Sequence, residues 1–188
     1  MQHIREHLES FAPLSDDDWY VFKSKLVLQN YPKNGIILKQ GTTENYLSFI
    51  ESGVVRLYIP KIDNDLTFGF VFASSFVSAY DSFLTQSPCN YQIQSITPTK
   101  LWRISYADLQ TIYKETAIGN EIGRKNAETL FLIKSKRELA LLNKSAKERY
   151  LELFSERPEL IREIPLKYIA SYIGITPQAL SRIRRQIS

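Results

Sequence analysis

At 188 residues the chain is long enough for one or two small domains, and its 44% apolar and 12% aromatic content supports packed cores and excludes disorder. The formal net charge is +4, and a single cysteine, Cys89, excludes an internal disulfide and a cysteine-ligated iron–sulfur cluster. No apolar run approaches the roughly 20 residues that span a bilayer, and Met1 to His7 lack the basic-then-apolar order of a signal peptide, so the expectation is a cytoplasmic chain with no membrane partner.

The first seven residues read as a mobile N-terminus. Residues 15–25 predict a short helix, because Ser15 with Asp18 three residues on forms a capping box and Asp16–Asp18 suit the positive helix start. From Leu26 to Ser105 the pattern changes to short strands. Ile36–Leu38, Tyr46–Ile50, Val54–Ile59, Leu66–Phe72, Tyr91–Ile96 and Lys100–Ile104 are rich in β-branched and aromatic residues. Turn signals separate them at Asn34-Gly35, Gly41, Ser52-Gly53, Asp63-Asn64-Asp65 and Thr97-Pro98, which predicts an antiparallel sandwich or barrel.

After Tyr106 the pattern is helical. A short helix over 106–114 precedes a long one over 117–143. Ile118, Ile122, Thr129, Ile133 and Ala140 make a broken stripe near the heptad period, supported by Leu132 and Leu141 and interrupted by Gly119, Gly123, Asn126 and Lys136. A helix of that length reads as a dimer seam, with a core helix along the β domain as the alternative. Ser145 with Glu148 opens another helix, which Arg157-Pro158 ends.

The last 23 residues read as two short helices joined by a tight turn. Leu166, Ile169, Ala170 and Ile173 fall at i, i+3, i+4 and i+7, the spacing of a buried stripe. Gly174 supplies the helix stop, Thr176 an N-cap hydroxyl, and Pro177 a first helical residue whose missing N–H costs nothing. Leu180 and Ile183 face inward, leaving Gln178, Ser181, Arg182, Arg184 and Arg185 outside. From Ile161 onward there are five basic residues against Glu163 alone, so this segment holds all of the chain's excess positive charge. A basic second helix after a tight turn is the pattern of a helix-turn-helix, which places that helix in the major groove of double-stranded DNA.

Taken in order, these elements resemble the Crp/Fnr family of bacterial transcription regulators over nearly all of the chain. The marks are Lys39-Gln40-Gly41 and Leu47-Ser-Phe-Ile-Glu-Ser-Gly53-Val-Val-Arg-Leu-Tyr58, which look like the family's glycine turns between paired strands. The resemblance implies an α+β fold: an N-terminal antiparallel β-roll (a double-stranded β-helix, jelly-roll-like), a long dimerisation helix and a C-terminal helix-turn-helix. The corresponding segments are 1–116, 117–143 and 144–188. It also implies a homodimer that binds DNA and works with RNA polymerase.

Family members that bind cyclic AMP carry Phe-Gly-Glu, whose Glu takes the ribose hydroxyl, and a later Pro-Arg that clamps the phosphate. Here Phe76 and Pro88 match, but Val77-Ser78 replaces Gly-Glu and Cys89 stands in the arginine's place. A phosphate then lacks its charge-assisted bidentate partner. Cyclic AMP is not the expected effector, and no cofactor is expected. The remaining candidates for a modified pocket are Arg56, Phe76, Ser78, Tyr80, Cys89, Asn90 and Tyr91, with Arg103 as a second basic group; the alternative is that these side chains merely fill the roll.

Carried onto the family's base-reading positions, Pro177 stands first, Gln178 second and Arg182 third. Arg182 is suited to bidentate contact with guanine and Gln178 to adenine. Thr176, Ser181, Arg184 and Arg185 are suited to phosphates. The resemblance implies a β-hairpin wing after this helix, and the backbone contacts of such a wing are expected to be missing here. An enzyme is not expected: no histidine follows His7, so neither a cupin-type metal set nor a Ser/His/Asp set can be assembled. The remaining alternative is a ligand- or protein-binding regulatory module that does not bind DNA.

Overall fold

The computed structural model describes residues 1–187, leaving Ser188 outside the described residues. By its contacts the chain divides into two bodies, one of residues 1–57 and 70–129, the other of residues 58–69 and 130–188.

The first body opens with α1 (Gln2–Glu9) and α2 (Asp16–Ser24). In place of a mobile end, α1 is docked through Ile4 and Leu8, one helical turn apart and both buried. The α2 start follows the sequence expectation: the Ser15 hydroxyl accepts from the Asp18 N–H at 3.1 Å. Eight strands follow: β1 (Val27–Tyr31), β2 (Ile36–Leu38), β3 (Tyr46–Ser52), β4 (Val54–Ile59), β5 (Leu66–Phe72), β6 (Phe76–Val77), β7 (Gln92–Ser95) and β8 (Thr99–Ser105), with the short α3 (Tyr80–Thr85) between β6 and β7. They form two four-stranded sheets ordered β1-β8-β3-β6 and β2-β7-β4-β5.

Register in the first sheet sorts its side chains into two faces. Val27, Arg103, Ser48 and Val77 lie in one row, with Gln29, Leu101 and Ile50 beside them on the same face. Leu28, Trp102, Phe49 and Phe76 make a row on the opposite face, beside Leu47 and Ile104. Leu47, Phe49 and Ile104 share one apolar core with Ile4, Leu8, Phe22, Phe83, Leu109, Ile112, Ile118 and Ile122. The sheet is therefore buried on its helix-covered face by α1, α2, α4 (Tyr106–Glu115) and the first turns of α5 (Gly119–Asn143).

One of the glycines that break the apolar pattern of α5 has a packing reason. A Cβ at Gly119 would lie 2.8 Å from the Ile112 carbonyl oxygen, a backbone clash that a larger residue could not relieve by moving a side chain.

In the second body, α6 (Ala146–Glu156), α7 (Pro158–Glu163), α8 (Leu166–Tyr172) and α9 (Pro177–Ile187) pack around Tyr150, Leu153, Leu160, Ile164, Ile169, Ala170, Ile173 and Leu180. The Ser145–Glu148 capping box is present in both directions. Leu166 departs from the expected stripe. It is exposed at the first residue of α8, and Leu160 and Ile164 supply the apolar surface instead. Among the described residues no helix is long and apolar enough to cross a membrane.

Candidate functional site

The α8–α9 pair has the geometry its sequence requires. Gly174 adopts φ +81°, the left-handed conformation that ends a helix. Its N–H donates to Ser171 O at 3.1 Å, and the Ile175 N–H reaches back to Ala170 O at 3.0 Å. Those two bonds make a Schellman motif, which turns the chain sharply out of α8. Thr176 then caps α9, its hydroxyl accepting from the Ala179 N–H at 3.2 Å. Leu180 is buried beneath α9, whereas Gln178, Ser181, Arg182, Arg184 and Arg185 are all exposed. The Ser181 hydroxyl donates to Pro177 O at 3.0 Å, and Pro177 is half-buried at the helix start. The residues expected to face DNA therefore lie together along one short helix.

The roll's cassette is organised differently from an anion clamp. Cys89 is buried, and its thiol contacts Tyr91 O at 3.3 Å while burial pushes its pKa up. Its backbone is stitched to the preceding loop, Gly41 N donating to Cys89 O and Cys89 N to Thr42 O. Tyr91 donates its hydroxyl to the Asp81 carboxylate, and burial followed by that acid drives the phenol's pKa upward. Asn90 is exposed, with its carbonyl accepting from Gln40 Nε2 at 3.1 Å. The Ser78 hydroxyl is committed to Tyr46 O at 2.9 Å. The charged side chain tied into this segment is thus an acid, which repels a phosphate.

Two expected pocket residues, Phe76 and Tyr80, pack into the helix-covered core. Phe76 turns to the helix-covered face of its sheet, 5.3 Å from the Phe49 ring and 5.5 Å from His7. Tyr80 stacks on Phe83 at 6.2 Å against the same core. Phe76 points there because the period-two alternation of β6 turns Val77 to the opposite face instead. Arg56 is buried on β4 and bonds Gln94 Oε1 at 3.0 Å.

Arg103 lies on the face of the first sheet away from the helices, and its neighbours satisfy and neutralise it. Its guanidinium donates to Ser48 Oγ (3.2 Å), Gln29 Oε1 (2.7 Å), the Tyr31 hydroxyl (2.8 Å) and Glu44 Oε1 (3.4 Å). The Tyr46 ring covers it at 4.1 Å. Glu44 was not recognisable from the sequence, since a lone carboxylate in a turn carries no signal of burial. Nor was Asp81. Both are acids, which disfavour a phosphate beside them, and the Arg103 guanidinium is already committed to protein partners.

The dimer stripe requires correction. Ile118 and Ile122 are buried in their own chain's core, so neither can line a seam. Thr129 bonds its hydroxyl to Lys125 O at 2.9 Å, Ala140 is half-buried, and Ile133 alone of the five shows an exposed apolar side chain. The exposed apolar positions at heptad spacing are Leu132, Leu139 and Leu142, which are 66%, 54% and 75% exposed, with Ser135 between them.

Residues 28–116 match the family described as Cyclic nucleotide-binding domain. No curated protein matches the chain at the level of sequence. Among solved structures, the c-di-GMP-responsive global regulator CLP of Xanthomonas campestris superposes with a TM-score of 0.70 at 18% identity, covering 92% of this chain and 91% of that one. FixK2 of Bradyrhizobium japonicum gives 0.72 at 16% identity, covering 86% and 84%. A chain from Eubacterium rectale described as a transcriptional regulator of the Crp/Fnr family gives 0.70 at 19% identity, covering 93% and 83%. From its roll, its long helix and its terminal helices, the chain has the α+β fold of the Crp/Fnr-type regulators, with a segment of the cyclic nucleotide-binding domain type at its centre.

Proposed function

We propose that this chain is a sequence-specific DNA-binding transcription regulator of the Crp/Fnr type that acts as a homodimer and does not respond to cyclic AMP. The observation that carries this reading is the α8–α9 pair: a Schellman turn at Gly174, a Thr176 cap and a short second helix that exposes Gln178 and three arginines. Arg182 contacts guanine and Gln178 adenine, and Arg185 meets a phosphate. The dimer seam is Leu132, Ser135, Leu139 and Leu142, which pairs the two recognition helices for successive turns of DNA. The Asp81–Tyr91 pair and the self-neutralised Arg103 support a roll without a cyclic phosphate.

Selection from a random DNA pool tests this directly. The expected product is a palindrome with half-sites about one helical turn apart. Arg182→Ala should weaken binding by about 1–3 kcal/mol and relax one base pair in each half-site. Failure to enrich any sequence would overturn the reading and leave a regulatory module that does not act on DNA.

A further inference from the structure

The end of α8 is held more completely than a helix of its length requires. A helix leaves its last four carbonyls without partners of their own. Here Ala170 O and Ser171 O are taken by the backbone of the Schellman turn. The next two are taken by arginines from other helices. Arg137 of α5 donates to Tyr172 O at 2.8 Å, with its guanidinium 4.0 Å above the Tyr172 ring. Arg149 of α6 donates to Ile173 O at 3.0 Å, and its other arm reaches Lys144 O at the end of α5. Both cations sit at the negative end of the α8 dipole.

A third hold comes from the β4–β5 hairpin, whose residues 58–69 belong to the same body. The Ser171 hydroxyl donates to Asp65 O at 2.5 Å and accepts from the Thr67 N–H at 2.7 Å. Three consecutive residues, Ser171, Tyr172 and Ile173, are thus gripped by three different elements. Two of these, the β4–β5 hairpin and α5, continue along the chain into the first body.

We infer that Arg137, Arg149 and Ser171 are positioning residues for DNA recognition: they fix the last turn of α8, and through Gly174 the direction in which α9 presents Gln178 and Arg182, without contacting DNA themselves. This rests on the helix-turn-helix reading. A fixed turn matters for base contacts, which tolerate little misalignment, and matters far less for phosphate attraction. The three side chains therefore govern the ratio of specific to non-specific affinity. Arg137 suits its place because a guanidinium can stack and donate at once, which an ammonium cannot.

The test measures affinity of the full chain for its selected operator and for an unrelated duplex of equal length, at one salt concentration. Arg137→Gln and Ser171→Ala should each weaken operator binding by about tenfold, leave binding to the unrelated duplex unchanged, and leave Tm near the parent's. Arg137→Lys should recover part of the loss, since lysine still reaches the carbonyl. Equal losses on both duplexes would overturn the inference, as would no loss on either. If the parent selects no sequence, the DNA reading itself has failed. Hydrogen exchange at the Gly174 and Ile175 amides then decides the positioning role. Faster exchange in Arg137→Gln and Ser171→Ala at unchanged Tm supports it, and unchanged exchange overturns it.

Discussion

A buried charge is tolerable only when its partners are built with it, and Arg103 shows how closely the roll depends on that. Removing the guanidinium in Arg103→Met would strand the Glu44 carboxylate, which is only 2% exposed, at a cost of about 3–5 kcal/mol near neutral pH. Burial already raises the Glu44 pKa above its ordinary 4.5, with Arg103 opposing the shift. A raised folded-state pKa contributes stability that is present below the ordinary value and lost as pH rises through the folded value. Denaturation midpoints of Arg103→Met should therefore approach the parent's below about pH 4.5 and diverge above it. His7 has the opposite sign. It lies 5.1 Å from Phe11 and 5.5 Å from both Phe49 and Phe76, and burial lowers its pKa below 6.5. Its contribution is present above that value and lost as pH falls through the folded one. His7→Phe, which keeps the ring cluster, should flatten the parent's loss of stability as pH falls below about 6.5 in a denaturant titration. Neither dependence was legible in the sequence, because both come from neighbours far along the chain.

At the scale of elements, what was local in the sequence was legible and what was tertiary was not. The six expected strands are present within a residue or two because alternation and turn residues are short-range signals. Three helix starts, at Ser15, Ser145 and Thr176, were read from their caps. By contrast, β1 was missed because Val27-Leu-Gln-Asn-Tyr31 lacks apolar alternation and is held by pairing with β8. The α1 helix was missed because six of its eight residues are polar or charged and its stability comes from docking two side chains. The spacing locates the long helix but not its faces: a heptad pattern identifies an apolar stripe, but only packing shows that Ile118 and Ile122 are already used. The stripe left over makes a sharp prediction. Leu139→Asp would bury a carboxylate in the proposed seam, so sedimentation should show a monomer at concentrations where the parent is a dimer. Because Leu139 is exposed in the single chain, Tm of the monomeric fold should not fall. A variant that remains dimeric would remove Leu139 from the interface.

At the scale of the molecule, charge and body divide together. The second body holds 13 basic and 8 acidic side chains, a net +5, so the first body carries −1. On the proposed reading, long-range attraction to DNA belongs to the body that ends in α9, and pairing two chains would double it while adding little to the roll. This gives salt dependence a stoichiometry. Each phosphate contact contributes about 0.9 to the slope of log affinity against log salt concentration. A homodimer presents each contact twice, once in each half-site. Arg185→Ala should accordingly lower the magnitude of the slope by about 1.8 on the palindromic operator, against about 0.9 if one chain binds alone. The same substitution should weaken operator and unrelated duplex alike, because a phosphate contact carries no sequence information. Arg137→Gln, holding the turn from behind, should leave the slope unchanged while lowering specific affinity. An unchanged slope in Arg185→Ala would mean that the positive end of α9 does not reach the DNA backbone.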